Sequence, residues 1–327
     1  MEMHQLRYFV SVVKTGSFSR AAAACNVSQP SLSQQILKLE EELGEPLFER
    51  QSRGVALTPA AHVLHPSAKR ILAEAEEARR LVLQARGDVR GRVTVGVLPT
   101  IAPYLLPPLM QLFSKKFPHA EFIVQEDTTA RLLVALDNSE IDLGILSLPV
   151  EAPFLSTKKL FDDELLLAMP EGHRLAQASQ VTLDDLSDEE FILLKEGHCL
   201  ADQSEQFCQE SANFCPRVAC RSAQMETVLA MIRSRLGISL VPKMVESTRA
   251  VQGLVLRSLS PRIYRTIVLA ERRNRHHCLV ARGFRECLQT FSEQFATVAK
   301  LSSNSDFRPS ARNTSPTRSL IAVPTFP

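Results

Sequence analysis

The chain has 327 residues, 45% of them hydrophobic, with 38 lysines and arginines against 36 aspartates and glutamates. That length suits about two or three domains with complete cores, and a net charge of only +2 excludes a uniformly basic nucleic-acid coat. Any DNA contact therefore has to come from local placement of charge.

Apolar runs such as Leu165 to Met169 fall far short of the roughly 18 residues of a membrane-spanning helix. The opening MEMHQLRYFV lacks the basic flank, apolar stretch and small-residue cleavage site of an export signal. A cytoplasmic location without a membrane partner is expected, and the seven cysteines are expected to be thiols there.

The first sixty residues read as short helices. Leu6, Phe9, Val10 and Val13 follow the i, i+3, i+4, i+7 spacing of one helical face. Gly16 stops that helix, and Ser17 caps a second whose Phe18, Ala21, Ala22 and Cys25 share a face. After the turn Asn26-Val27-Ser28, Ser28 caps a third helix that runs to about Leu43, before Gly44. Pro30 is tolerated in its first turn.

A longer helix begins at Thr58-Pro59, with Ala68, Ala75 and Val82 repeating every seven residues and Leu64, Ile71, Ala78 and Ala85 in step. This is a coiled-coil-like seam. Pro66 inside it is expected to kink the helix or weaken its first turns, and Arg86-Gly87-Asp88 ends it. From Gly91 the runs VTVGVL, FIVQE, DLGILSL, LLLAM, FILL, GISLVP and TIVLA alternate with helical stretches, which is α/β patterning. Beyond about Leu301 the chain is rich in Ser, Pro, Asn and Arg and reads as a disordered tail.

On the third helix Leu32, Ile36, Leu39 and Leu43 lie in a narrow arc, with Pro30, Ser31, Gln34 and Lys38 opposite and Gln29 and Ser33 flanking. A helix, a tight turn and a helix with a polar outer face is a layout that enters the major groove, where amides and hydroxyls read base edges. Lys38, Arg50 and Arg53 are then placed for phosphates. On pattern alone, an ordinary three-helix bundle with a solvated face fits as well. The six basic and six acidic residues within positions 1–60 do not decide between them.

The segment LRYFVSVVKTGSFSRAAAACNVSQPSLSQQILKLEEELGEPLFER, followed by LTPA, resembles the winged helix-turn-helix of the LysR-type transcriptional regulators throughout. PEGHRLA and RLGISLVP resemble recurrent text of the effector domain in that family. The resemblance implies a multidomain α+β and α/β architecture: a winged helix-turn-helix over 1–58, a linker and dimerisation helix over 59–88, and an effector domain over 89–300. That domain would have two α/β lobes like type 2 periplasmic binding proteins, leaving the tail at 301–327. It also implies a regulator rather than an enzyme, without a cofactor, forming homodimers and homotetramers on double-stranded DNA and contacting RNA polymerase.

Fold alone does not name the effector. In GHCLADQSEQFC, Cys199 and Cys208 stand nine residues apart. In one helix that spacing spans ~13.5 Å and turns about 900°, whereas a disulfide needs Cα atoms within ~7 Å. Pairing therefore demands remodelling, and that is a switch. A cysteine at a helix N-terminus is expected to have a lowered pKa. Buried packing is the simpler reading of such a pair, and of Cys25, Cys220, Cys278 and Cys287.

LLKEGHCLADQSEQFC resembles the redox segment of the peroxide-sensing members of the family. By that resemblance Cys199 is the peroxidatic thiol and Cys208 the resolving one. Thr100, Thr129, His198, Asp202 and Arg265 would shape the pocket for hydrogen peroxide. Ala201 stands where the family motif carries a basic residue, and Cys215 and Cys220 are further candidate resolving thiols.

Three rivals remain open. A small organic anion could be the effector, bound in the cleft at the helix N-termini near Thr100 and Thr129. Cys199 could serve a thiol peroxidase, although the DNA module has no part in that. His276, His277, Cys278 and Cys287 cluster in sequence but lack the spacing of a zinc site, so no metal is expected.

Overall fold

The computed structural model describes residues 1–50, 55–84, 91–212 and 215–303. Arg53, the expected helix stop at Arg86–Asp88 and the tail beyond Ser303 lie outside these residues.

The N-terminal module is built from α1 (Met3–Thr15), α2 (Phe18–Ala24) and α3 (Gln29–Leu43), with a two-stranded wing of β1 (Phe48–Arg50) and β2 (Val55–Leu57). The caps fall where the sequence placed them. The Ser17 hydroxyl accepts from the Arg20 N–H, the Ser28 hydroxyl accepts from the Ser31 N–H, and Gly16 and Gly44 close α1 and α3. Leu6, Phe9, Val12, Leu32, Ile36 and Leu39 form the core. Leu43, expected on the buried arc, is instead exposed. The chain turns at Gly44, and Leu47 fills the core in its place. The Glu40 carboxylate holds that turn by accepting the backbone N–H groups of Leu47 and Phe48 at 2.7 and 3.2 Å.

The long helix α4 (Pro59–Gln84) is capped by Thr58, whose hydroxyl accepts the Ala61 N–H at 3.2 Å. It runs unbroken through Pro66, so the proline is accommodated without ending the helix. Ala61 and Ala68 pack on the N-terminal core, whereas Ile71, Ala75, Ala78 and Val82 of the seam are exposed in the single chain.

The remaining elements, in chain order, are β3 (Gly91–Val97), α5 (Ala102–Lys116), β4 (Ala120–Glu126), α6 (Thr129–Asp137), β5 (Leu143–Ser147) and β6 (Leu155–Pro170). Then come β7 (Glu190–Leu194), α7 (Cys199–Ala212), β8 (Arg217–Ser222), α8 (Met225–Arg233), β9 (Ser239–Pro242), β10 (Leu254–Arg272) and α9 (Leu279–Ser303). Six strands form one sheet in the order β4-β3-β5-β10-β6-β9, and β7 pairs in parallel with β8. The antiparallel pair β6 and β10 is long enough to belong to both lobes, running from Leu254 opposite Pro170 to Arg272 opposite Leu155. β3, β4 and β5 complete the first lobe; β7, β8 and β9 lie in the second.

LLLAM and TIVLA are thus only the apolar ends of much longer strands. The other halves carry Lys158, Lys159, Asp162 and Asp163 in β6, and Arg257, Pro261 and Arg262 in β10, so they lack an apolar signal. β8, reading RVACRS, is largely exposed and was hidden for the same reason. Helix α9 reaches Ser303, three residues into the expected tail.

Gly237 joins the second lobe together. Its φ of +154° is foreign to side-chain-bearing residues, and a Cβ there would meet the Glu190 carbonyl oxygen at 2.4 Å. The neighbouring Ile238 exchanges backbone hydrogen bonds with Glu190 and Ile192. Gly237→Ala is expected to cost about 2 kcal/mol or more of stability, seen as a lower Tm for the effector-domain transition in calorimetry.

Candidate functional site

On α3 the polar face stands clear of the core. Gln29, Pro30, Ser31, Gln34 and Lys38 are exposed and Ser33 is half-buried. The Gln29 amide donates to the Ser33 hydroxyl at 2.8 Å, one turn along the face, whereas Gln34 has no such tether among the hydrogen bonds of the described residues. Arg50 ends β1, but its side chain lies outside the described residues, as does all of Arg53.

A second site forms where three loops meet at the C-terminal ends of strands, the usual place for ligands in open α/β sheets. Thr100 follows β3, Thr129 opens α6 after β4, and Cys199 opens α7 after β7. The β7–α7 turn depends on Gly197, whose φ of +87° is left-handed and whose Cβ position lies 3.7 Å from Thr128 Cγ2. Backbone bonds from Lys195 to Ser222 and from His198 to Lys195 fix the turn. It delivers Cys199, half-buried, against the start of α6.

The thiol therefore lies at the positive end of one helix, beside the first turn of another. The expected drop in pKa nevertheless does not result. Burial pushes the Cys199 thiol up, and the Asp202 carboxylate adds to this. Arg265, the Thr129 hydroxyl and the Leu200 backbone N–H oppose the rise without overcoming it. The Thr129 hydroxyl is buried without a partner at conventional hydrogen-bond geometry, yet it is near enough to Cys199 for its dipole to act on the sulfur.

Arg265 anchors the floor of this site. It is 1% exposed and lies directly across from Asp163 in the β6–β10 register. Its Nε and Nη2 donate to Asp163 Oδ2 at 3.0 and 2.9 Å, its Nη1 donates to Thr100 Oγ1 at 2.8 Å, and Nη2 also reaches the Thr100 carbonyl at 3.1 Å. Burial pushes the Asp163 carboxyl up, against the pull of Arg265 and a backbone bond from Met244. Tyr104 packs nearby, its phenol pushed up to about 12 by burial and by Glu226.

Of the residues singled out in the sequence, Thr100, Thr129, Cys199 and Arg265 thus come together. His198 is half-buried in the turn before α7, and Asp202 is exposed, its backbone N–H pointing to the His198 carbonyl at 3.5 Å. Residue 208 continues the same helix α7, but its side chain lies outside the described residues. Cys215 is exposed, and Cys220 on β8 is half-buried.

Two further residues belong to the site. Gln203, buried one turn after Cys199, donates to Ser147 Oγ at 3.1 Å and to the Leu148 carbonyl at 2.6 Å, tying α7 to the end of β5, and its Oε1 is buried without a partner. It lies in the quoted HCLADQ segment, so its position was readable. Asp163 lies in the polar half of β6 and gave no signal. Of the His276–Cys287 cluster, His277 Nε2 lies 3.2 Å from Glu271 Oε2 and Cys278 is buried in the core. No group of three potential metal-ligating side chains occurs among the described residues.

Comparison with known proteins was made against this geometry. Residues 3–62 match the family model of the bacterial regulatory helix-turn-helix proteins of the lysR family, and residues 86–292 match the LysR substrate binding domain. The DNA-binding transcriptional dual regulator OxyR of Escherichia coli K12 is 37% identical over 274 residues, covering 83% of this chain and 90% of that protein. Full-length OxyR of Pseudomonas aeruginosa, solved as a cysteine-to-aspartate variant, superposes with a TM-score of 0.72 at 31% identity over 88% of this chain and 98% of that one. A cysteine-to-serine mutant of Corynebacterium glutamicum OxyR, solved with hydrogen peroxide bound, gives a TM-score of 0.60 at 30% identity over 95% and 98% of the two chains. Helix-turn-helix, linker helix and two-lobed effector domain all agree with these matches: the chain belongs to the LysR family of bacterial transcriptional regulators.

Proposed function

We propose that this regulator is a hydrogen peroxide-responsive thiol–disulfide switch using Cys199 and Cys208. One observation carries the reading: a half-buried cysteine opens α7 near Thr129 at the start of α6 and the pair made by Thr100, after β3, and Arg265 of β10. The relatives named OxyR, one with peroxide bound, support the same oxidant. Thr100 accepts a hydrogen bond from Arg265, so its own hydroxyl proton is free to turn toward a small polar guest. Thr129 has a buried hydroxyl and Gln203 a buried carbonyl oxygen without partners, which suits a molecule that both donates and accepts.

The chemistry balances without a further reactant. The Cys199 thiolate attacks one peroxide oxygen, the O–O bond breaks, and sulfenic acid forms with loss of water once the leaving oxygen takes up a proton. The Cys208 thiol then attacks that sulfur, and a disulfide and a second water result. Along α7 the two Cα atoms are ~13.5 Å apart, so the bond forms only as the helix unwinds. The remodelled segment would shift the pairing of effector domains, and with it the spacing of the α3 helices on double-stranded DNA and the contact with RNA polymerase. The exposed residues Ile71, Ala75, Ala78 and Val82 on α4 suit a homodimer that pairs into a homotetramer. A small organic anion as effector has weaker support, because the charge of Arg265 is already matched by Asp163.

Three outcomes are expected. Cys199→Ser abolishes the change in DNA footprint on brief peroxide treatment while the reduced variant binds its operator as the parent does; a footprint that still responds ends the thiol assignment. Because the thiol is held above the ordinary value of about 8.5, its thiolate fraction keeps growing as pH rises. The rate of Cys199 oxidation, followed by peptide mass spectrometry at fixed peroxide, is therefore expected to go on climbing above about pH 9.5, where a free cysteine has already levelled off. Gln34→Ala weakens specific binding by about 1–3 kcal/mol and non-specific binding far less; equal losses in filter-binding titrations remove its base-reading role.

A further inference from the structure

Among the described residues no hydrogen bond joins Asp163 to the thiol, yet Asp163 holds the guanidinium that acts on it. An arginine side chain has five N–H donors. In Arg265 the Nε–H, both Nη2–H and one Nη1–H are engaged by Asp163 and Thr100, which leaves a single Nη1–H. The Asp163 carboxylate takes two of the engaged donors on one oxygen and a backbone N–H from Met244. Both side chains are essentially withdrawn from water, with 0% and 2% exposure. In such a setting a paired charge acts at a distance as a dipole, whereas an unpaired one acts with full strength.

We propose that Asp163 is a positioning residue for Cys199: by holding and largely neutralising Arg265, it meters how strongly that guanidinium draws the thiol toward thiolate. This rests on the reading of Cys199 as the reactive group. The other groups in reach are few. Asp202 on α7 and the Thr129 hydroxyl on α6 face the sulfur. Glu164 faces Asp163, and so do Glu246, Tyr104 and, through Glu164, Lys243. None of these is hydrogen-bonded to Arg265 in the way Asp163 is, so removing the Asp163 charge falls first on Arg265.

The test is the pH dependence of Cys199 alkylation by iodoacetamide on the full-length reduced protein, read at that cysteine by peptide mass spectrometry. Asp163→Asn is expected to move the midpoint down by about one pH unit, which is about tenfold faster alkylation at neutral pH. Arg265→Gln is expected to move it up. A midpoint that stays or rises in Asp163→Asn overturns the proposal.

Breaking a buried pair from one side can prevent folding. The double variant, Asp163→Asn with Arg265→Gln, leaves no unpaired buried ion, and its midpoint is expected above that of the native protein. A double-variant midpoint at or below the native one overturns the proposal, whether or not the single variant folds. Simple loosening of the site would expose the thiol and lower the midpoint in both, so the opposite signs separate metering from structural damage. Peroxide has no part in this readout. The expected opposite shifts in a protein whose Cys199 ignores peroxide would end the switch reading and support this one. A native protein that forms the Cys199–Cys208 bond while Asp163→Asn leaves the midpoint unmoved would do the reverse.

Discussion

A guanidinium buried where the long strands β6 and β10 pair constrains this effector domain. Removing Arg265 from water is costly unless most of its donors find partners and the charge finds a counterion. β6 supplies the counterion from the position directly opposite on its neighbouring strand, and the loop after β3 supplies a hydroxyl and a carbonyl. Neither strand can slide by a residue without separating the pair, because a one-residue shift turns every side chain to the other face of the sheet. The same contact fixes Thr100, and so one wall of the site at Cys199.

Two effects compete at that cysteine. The first turn of α7 favours negative charge, and Arg265 adds to this, but withdrawal from water disfavours the thiolate more. The balance favours the thiol over the thiolate more than at a free cysteine. A small guest that brings its own hydrogen bonds to the unpartnered Thr129 and Gln203 oxygens would compensate part of the desolvation that a larger or apolar electrophile could not. On the proposed reading, selectivity would come less from an activated sulfur than from polar groups that only a suitable guest satisfies.

Much of this was legible in the chain. The N-terminal helices carry strong local signals: apolar residues in helical step, serine caps and terminal glycines. The structure departs there at Leu43, where the turn at Gly44 substitutes Leu47, and on α1, where Val12 is fully buried and Val10 and Val13 only partly. Parallel strands such as β3 and β5, buried on both faces, read as continuous apolar runs. The long antiparallel strands were only half visible, since their remaining residues face solvent or pair with charges. Thr100, Thr129 and Cys199 were legible through their text, Arg265 only through a loose match. Asp163 was not legible at all, because what recommends it is a cross-strand neighbour 102 residues away. The Cys199 pKa runs against the local expectation for a similar reason: a helix terminus is a local feature, whereas burial comes from packing against distant segments.

The joint between the DNA-reading module and the effector domain is made of a different material from either. Where α4 meets the end of α6, Lys69 Nζ lies 2.7 Å from Glu140 and Arg70 lies 3.8 Å from Asp137, all partly exposed. Arg272 of β10 approaches the same Asp137 at 4.0 Å. Exposed ion pairs are worth roughly 1 kcal/mol or less each and are screened by salt. Such a coupling is weak compared with the packed core on either side of it. The ionic strength that loosens protein from phosphate therefore loosens these contacts in the same stroke.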